Sequence, residues 1–328
     1  MIKSIQLYRT DCTDPYRNLA VEQYLLEHVP PGVCTLYLWQ NRRTVVIGRN
    51  QSAWRECRTA RLEEDGGFLA RRLSGGGAVF HDLGNLNFTF LVCKEDYDLS
   101  RQLGVIVEAC RFLGIPAECS GRNDVLADGR KFSGNAFYEH QGRSYHHGTL
   151  LVDVDTAAMG RYLSPSRAKL QAKGVASVRS RVVNLRELRP DLTIGGMAER
   201  MEEAFRAVYA VPARRLDEAD FDQSAIDALA QRNSSWEWLY GRDLPCSAEY
   251  GGRCAWGEVS IRLSVEQGVV QEAAVHTDAM DWRLSQTVER ALTGCRFRLP
   301  ELQERLGMSG LDGQVVQDLC ALLAEQDF

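Results

Sequence analysis

Polar and apolar positions along the chain change period several times, and each period predicts an element. Residues 3–8 read as a short strand. Asp14-Pro15 starts a helix, because Asp is a strong N-cap and Pro fits the first helical position. Tyr16, Leu19, Ala20 and Tyr24 share one face to about residue 28, and Pro30-Pro31-Gly32 stops the helix. VCTLYLW at 33–39 and TVVIG at 44–48 predict two largely buried strands, paired with each other across Gln40–Arg43. Helical character follows at 56–65, ended by Gly66-Gly67. A strand, FLARRL at 68–73, leads into a glycine-rich stretch, RRLSGGGAVFHDLGNLNFTF at 71–90, whose last residues read as another strand.

Beyond residue 90 the periods stay distinct. Leu99, Leu103, Ile106, Val107, Cys110 and Leu113 recur at three- and four-residue spacing, with Gly114 at the C′ position. Strands at Asp124–Ala127, Arg130–Tyr138 and Ser144–Asp153 are punctuated by Asp128-Gly129 and Gln141-Gly142, which reads as a meander. Residues 161–186 are basic and irregular, either a solvated face or a loop that closes over an anion. Helices are expected at 194–209 and 224–231. Alternation then resumes as a hairpin, Trp256–Val265 and Val269–His276, followed by helices near 283–293 and 314–325. The predicted fold class is α+β, with mixed or antiparallel sheets and flanking helices, plus a small C-terminal α+β domain. The expected domains are residues 1–245 and 246–328.

Composition narrows the picture. A 328-residue chain with 45% hydrophobic and 25% charged residues can build a real core. Its net charge of −5 argues against general nucleic-acid affinity, which needs a basic footprint. The ten cysteines form no C-x-x-C pair, so they read as free thiols in a reducing cytoplasm. The N-terminus has no apolar signal region, and no stretch approaches the ~18 apolar residues needed to span a bilayer. A soluble cytoplasmic monomer is expected.

Candidate chemistry gathers around the glycine triplet. Gly75, Gly76 and Gly77 allow positive φ and a backbone nest for an anion. Arg71 and Arg72 offer guanidinium forks for phosphate or carboxylate. Read alone, the stretch is equally a glycine-rich hairpin with surface arginines. Lys131 follows a hairpin turn and could neutralise charge developing at phosphorus or at an acyl group. Asp124 could hold Mg²⁺ or a ribose hydroxyl, or cap its own turn. His146 and His147 are adjacent on a strand, so they face opposite ways and cannot chelate one metal. Ser74, His81 and His147 are candidate pocket residues. No metal site built from protein ligands alone is indicated. Neither G-x-x-x-x-G-K-[ST] nor G-x-G-x-x-G is present, so any nucleotide is held by another scaffold.

Taken together, RRLSGGGAVFHDLGN at 71–85, GRNDV at 121–125, KFSGNA at 131–136 and HHGTLL at 146–151 resemble the lipoate–protein ligases. DPYRNLAVEQ, TVVIGRNQ and SVRSRVVNL at 177–185 are similar too. The resemblance implies a catalytic domain like that of class II aminoacyl-tRNA synthetases and biotin–lipoate ligases. It also implies a two-step reaction. Lipoate and ATP give lipoyl-AMP and pyrophosphate, with Mg²⁺, and an acceptor lysine then attacks the adenylate. Carried over by motif, Arg72, Gly77, Ala78, Val79, Phe80 and Lys131 contact ATP. Lys131, Arg72, Ser74, His81 and His147 surround the acid, and Asp124 is a nucleotide or Mg²⁺ contact. Leu36, Leu38 and Val45–Ile47 are expected to build the apolar pocket for the dithiolane tail. The implied acceptors are the lipoyl domains of 2-oxoacid dehydrogenase E2 subunits and the glycine-cleavage H protein. Two alternatives remain: an octanoyl or lipoyl transferase using a cysteine thioester, for which Cys119 is the candidate, and a non-enzymatic lipoate-binding protein.

Overall fold

The computed structural model describes residues 1–121, 124–163, 182–240, 248–266, 268–297 and 299–324, and only the backbone at Trp54 and Arg55. The meander predicted from the turn dipeptides forms three of the eight strands of the main sheet. Strands β1 (Ser4–Arg9), β2 (Val33–Trp39), β6 (Asn85–Cys93), β7 (Ala117–Ser120), β8 (Asp124–Ala127), β9 (Arg130–His140), β10 (Arg143–Leu151) and β11 (Ala213–Arg215) join in the order β11-β1-β2-β6-β10-β9-β8-β7. Both turn dipeptides take positive φ at both residues, 52° and 66° at Asp128-Gly129 and 48° and 72° at Gln141-Gly142. That is the two-residue turn whose twist matches paired strands, so it fixes the β8–β9 and β9–β10 registers.

Helix α1 (Pro15–His28) is the crossover that lets β1 and β2 run parallel. The Asp14 carboxylate accepts from the Tyr16 and Arg17 amides, with Pro15 at the first helical position. The two faces of the sheet serve separate cores. Cys34, Leu36 and Leu38 of β2, with Phe88 and Phe90 of β6, pack with Val105 and Ile106 of α4 (Leu99–Phe112) and with Phe205 of the helix Ile194–Tyr209. Tyr37, Trp39, Leu91 and Tyr145 face the other way, into a core shared with Leu19, Ala20 and Leu26 of α1.

One predicted pairing is wrong. β3 (Thr44–Ile47) does not pair with β2. It lies between β4 (Phe68–Arg71), to which it is parallel, and β5 (Val79–His81), to which it is antiparallel, in a second three-stranded sheet. The polar link 40–43 leaves the main sheet through Arg43 at φ 25°, and β6 occupies the edge of β2 that β3 would have needed. Two short helices, α2 (Ala53–Glu56) and α3 (Thr59–Glu64), replace the single helix expected at 56–65.

The C-terminal part has its own core around Val259, Ile261, Leu263, Val288, Leu302 and Leu319. Its sheet has three strands, β12 (Ala248–Cys254), β13 (Gly257–Glu266) and β14 (Val269–Thr277). Sequence reading missed β12, whose Gly251-Gly252 pair breaks the alternation, and the helix Leu299–Gly307. The expected boundary at 245/246 and the turn residue Gln267 lie outside the described residues, as does most of the basic stretch 161–186. Among the described residues, no helix is long and apolar enough to cross a membrane.

Candidate functional site

A cavity of about 820 Å³ opens between the main sheet, the small sheet and the C-terminal part. Its apolar wall is Leu19, Trp39, Val46 and Val79. Its polar side carries Lys131, Asp124, Asn135 and His147, while Gly76 and Gly77 form one rim. Arg253, Trp256, Asp278 and Met280 approach from the C-terminal part. The expected apolar pocket is therefore corrected in detail. Val46 lines the cavity, but Leu36 and Leu38 belong to the core on the opposite face of the sheet, and Val45 and Ile47 pack into a third core.

The two arginines before the glycine triplet do different work. Arg71 is 2% exposed and faces away from the cavity. Its guanidinium donates to the carbonyls of Trp238 (2.8 Å), Arg49 (2.9 Å) and Gln51 (2.6 Å), tying the loop after β3 to the helix Trp236–Tyr240. It is a structural clamp, not an anion fork. Arg72 lines the cavity, but its fork is occupied by the loop. It donates to Ser74 Oγ (3.0 Å) and to the carbonyls of Gly75 (2.8 Å), Gly77 (2.8 Å) and Val46 (3.1 Å). Burial pulls its pKa down to about 10, so it remains a cation at neutral pH. Gly76 takes φ 89°, and its N–H donates to the carbonyl of Ala279 at 3.0 Å.

Alternation along β5 sorts the next candidates. Val79 and His81 face the cavity, whereas Phe80 points away and packs against Tyr162 with ring centroids 5.4 Å apart. A side-chain contact from Phe80 to a ligand in the cavity is thus ruled out. His81 is 3% exposed, and burial pushes its pKa down to about 3, so the ring is neutral. Asn41 Nδ2 lies 3.3 Å from its Nδ1, which makes Nδ1 the acceptor and leaves the hydrogen on Nε2. That Nε2 has no hydrogen-bond partner among the described residues.

Lys131 and Asp124 meet across β8 and β9, Nζ to Oδ1 at 2.6 Å, and both are about one-third exposed. A register shift between Val125 and Leu126 aims the pair at the cavity. His147 lines the cavity and His146 faces the opposite core, as the strand period requires. His146 Nε2 lies 2.8 Å from Asn135 Oδ1, and Phe88, Phe90 and Phe137 surround its ring. Ser74 does not line the cavity: it is fully buried, with Oγ 2.8 Å from His147 Nε2. Gly148 is required by close approach, since a Cβ there would sit 2.6 Å from the Gly134 carbonyl and 2.7 Å from Phe88 Cζ.

Sequence reading missed Glu22, Asn41, Thr89 and Asn135, and every contribution from the C-terminal part. Glu22 carried a signal. It is a carboxylate on the buried face of α1, three residues from Leu19, where only a paired charge is tolerated. Asp124 sits in a wall that fits a cation shared with phosphate oxygens. No cluster of three or more His, Cys, Asp or Glu that could hold a metal occurs among the described residues. None of the described cysteines lines the cavity, and Cys119 lies on β7 at the far edge of the sheet. Arg122, Asn123 and most of SVRSRVVNL lie outside the described residues.

Comparison with known proteins adds the following. The family described as "Lipoyl protein ligase A/B catalytic domain" matches residues 14–206, and "Bacterial lipoate protein ligase C-terminus" matches residues 245–316. A protein named lipoate-protein ligase A from Psychrobacter cryohalolentis is 40% identical over 301 residues, covering 89% of each chain. A solved bipartite lipoate protein ligase of Thermoplasma acidophilum, studied with its E2 lipoyl domain, is 26% identical with a TM-score of 0.65, over 76% of this chain and all of that one. A lipoate-protein ligase A crystallised with ATP is 25% identical with a TM-score of 0.62, over 73% of this chain and 98% of that one. At 22% identity, the P. falciparum protein LipL1 in complex with lipoate shares the fold over 98% of this chain and all of that one, with a TM-score of 0.86.

Proposed function

The chain belongs to the lipoyl protein ligase A/B family, and from that premise we propose how its cavity performs the ligase reaction. The enzyme activates lipoate with ATP to lipoyl-AMP and transfers the lipoyl group to a lysine of an acceptor lipoyl domain. One observation carries the assignment to this cavity: an apolar wall of Leu19, Trp39, Val46 and Val79 and the cation Lys131 share one space with the glycine loop. The wall suits an eight-carbon dithiolane acid. The polar end suits the meeting of a carboxylate with a triphosphate.

In the first step the lipoate carboxylate attacks the α-phosphorus and pyrophosphate leaves. Both reactants are anions, so fixed positive charge must hold them within reach. Lys131 faces both the carboxylate oxygen and the α-phosphate. Arg72 contributes its buried charge and holds the Gly77–Val79 backbone as the nucleotide wall. The Nε2–H of His81, without another partner among the described residues, is available to a ligand oxygen. His147 borders the acid, and Ser74 acts behind it. Asp124, together with phosphate oxygens, would hold Mg²⁺, which supplies charge neutralisation at the triphosphate. In the second step a neutral lysine amine attacks the acyl carbon and AMP leaves. The acceptors are lipoyl domains of 2-oxoacid dehydrogenase E2 subunits and the glycine-cleavage H protein. Residues 1–245 form the catalytic unit and 246–328 an accessory one, in a cytoplasmic monomer.

The test adds lipoate and ATP to the protein and measures pyrophosphate, with and without an unlipoylated lipoyl domain. Release that requires lipoate, followed by AMP release on adding the domain, is expected. Tight lipoate binding without pyrophosphate would leave a binding protein. ATP-independent transfer from a thioester, abolished by Cys119→Ala, would mean a transferase.

A further inference from the structure

Behind the cavity wall a chain of hydrogen bonds runs from helix α1 to the glycine loop. Trp39 Nε1 lies 3.2 Å from Thr89 Oγ1, and Thr89 Oγ1 lies 2.7 Å from Glu22 Oε1. On the other side, Arg72 Nε lies 3.0 Å from Ser74 Oγ, Ser74 Oγ lies 2.8 Å from His147 Nε2, and His147 Nδ1 lies 2.8 Å from the same Glu22 Oε1. Glu22 is 1% exposed and does not line the cavity. Thr89 is fully buried as well.

The chemistry of the two ends orients every hydrogen between them. Indole and guanidinium N–H groups only donate, and a carboxylate only accepts. Thr89 accepts from Trp39 and so gives its one hydrogen to Glu22. His147 Nδ1 faces the same carboxylate, so the neutral ring leaves Nε2 bare to accept from Ser74, whose oxygen accepts from Arg72. His147 thus carries its hydrogen on Nδ1, which it donates to Glu22. All the hydrogens point toward one buried carboxylate. With Glu22 removed, nothing prevents His147 from taking the other tautomer. Its Nε2–H and the Arg72 Nε–H would then both aim at Ser74 Oγ, and the Ser74 hydrogen would turn from His147 to the neighbouring Tyr145 hydroxyl.

We propose that Glu22 is a positioning residue for adenylate formation: it locks the His147 tautomer and, through Ser74 and Arg72, the glycine loop that walls the nucleotide. Arg72 reaches the loop through the Gly75 and Gly77 carbonyls, so the chain ends at the backbone that must fit ATP. Glu22 thus acts on nucleotide binding from behind the cavity lining, to which its own helix contributes Leu19.

The experiment uses the full chain labelled with ¹⁵N-histidine, and its kinetic half rests on the ligase reading above. Long-range ¹H–¹⁵N correlations are expected to find His147 with Nδ1 protonated and Nε2 bare. This needs neither activity nor a variant, so it stands if the ligase reading fails. Glu22→Ala is expected to lose that tautomer and to raise the KM for ATP by about 10- to 100-fold, the scale of a lost hydrogen bond to a charged group. Glu22→Gln, which keeps an acceptor oxygen, is expected to restore the tautomer and recover most of the loss. An Nε2-protonated His147 in the unaltered protein would overturn the proposal. So would a folded Glu22→Ala protein whose tautomer and KM for ATP are unchanged, or whose only change is in the KM for lipoate.

Discussion

A residue type announces what a side chain can do, but its partners decide what it does. Arg71 and Arg72 are adjacent and identical, and their side-chain chemistry gave no reason to separate them; only the family motif singled out Arg72. One is spent on loop carbonyls away from the cavity, and the other borders it while holding the glycine loop. Lys131 was singled out by its place just past a hairpin turn together with the family motif KFSGNA, and it borders the cavity with the glycine loop. Its ion pair with Asp124 is one-third exposed and adds little stability. Lys131→Ala should therefore lower the rate of lipoate-dependent pyrophosphate release by at least ~100-fold while the melting temperature moves little. A rate near that of the unaltered protein would remove Lys131 from the proposed mechanism. Burial also leaves a pH signature that residue counts do not contain. His81 and His146 are buried, and desolvation pushes each pKa down to about 3. The unfolded chain binds protons at both positions below about pH 6.5, whereas the folded chain does not. Each histidine thus subtracts about 1.4 kcal/mol of stability per pH unit on acidification from about pH 6 toward pH 3. Urea unfolding at pH 7 and pH 5 measures this, and stability that holds steady on acidification would contradict it.

At the scale of elements, local signals were strong where a turn or cap dictates geometry. The turn dipeptides gave the β8–β9–β10 meander, and Asp14-Pro15 gave the start of α1. Partner choice was not local. β2 and β3 are both apolar and adjacent in sequence, yet they belong to different sheets, because long-range edges decide pairing. The candidate site inherits this division. Lys131, Asp124 and His147 could be placed together from the meander, whereas Glu22 reaches His147, and Asn41 reaches His81, only through tertiary packing. The same packing makes Gly148 indispensable. A methyl there would press on the Gly134 carbonyl at 2.6 Å, on the buried Phe88 ring at 2.7 Å and on Asn135 Oδ1 at 2.8 Å, which His146 holds in place. Gly148→Ala should cost about 1–3 kcal/mol of stability and weaken lipoate binding, since Asn135 borders the cavity. Urea midpoints and lipoate titration test this. A variant as stable as the parent would mean that β9 and β10 yield more easily than their packing implies.

At the scale of the whole molecule, the change in pattern near residue 246 gave the expectation of a second unit, but not the contacts by which the C-terminal part meets the glycine loop. Those contacts run along the glycine loop. Thr277 N donates to the Asn50 carbonyl at 2.8 Å, Asn50 Nδ2 to the Trp282 carbonyl at 2.7 Å, and Gly76 N to the Ala279 carbonyl at 3.0 Å. Trp282 packs on Tyr138 at 4.9 Å, and the Arg49 guanidinium lies over its ring at 5.5 Å. A nucleotide phosphate that uses the Gly76 amide must first displace the Ala279 carbonyl, so these contacts and the nucleotide compete for one donor. The aromatic and cation–π contacts of Trp282 contribute about 1–2.5 kcal/mol to the closed arrangement. Removing them shifts the competition by no more than the corresponding factor. Trp282→Ala should therefore tighten binding of a non-hydrolysable ATP analogue several-fold in calorimetric titration. Unchanged or weaker binding would mean that the Gly76 amide takes no part in holding the phosphates, and that the loop meets the nucleotide through Gly77–Val79 alone.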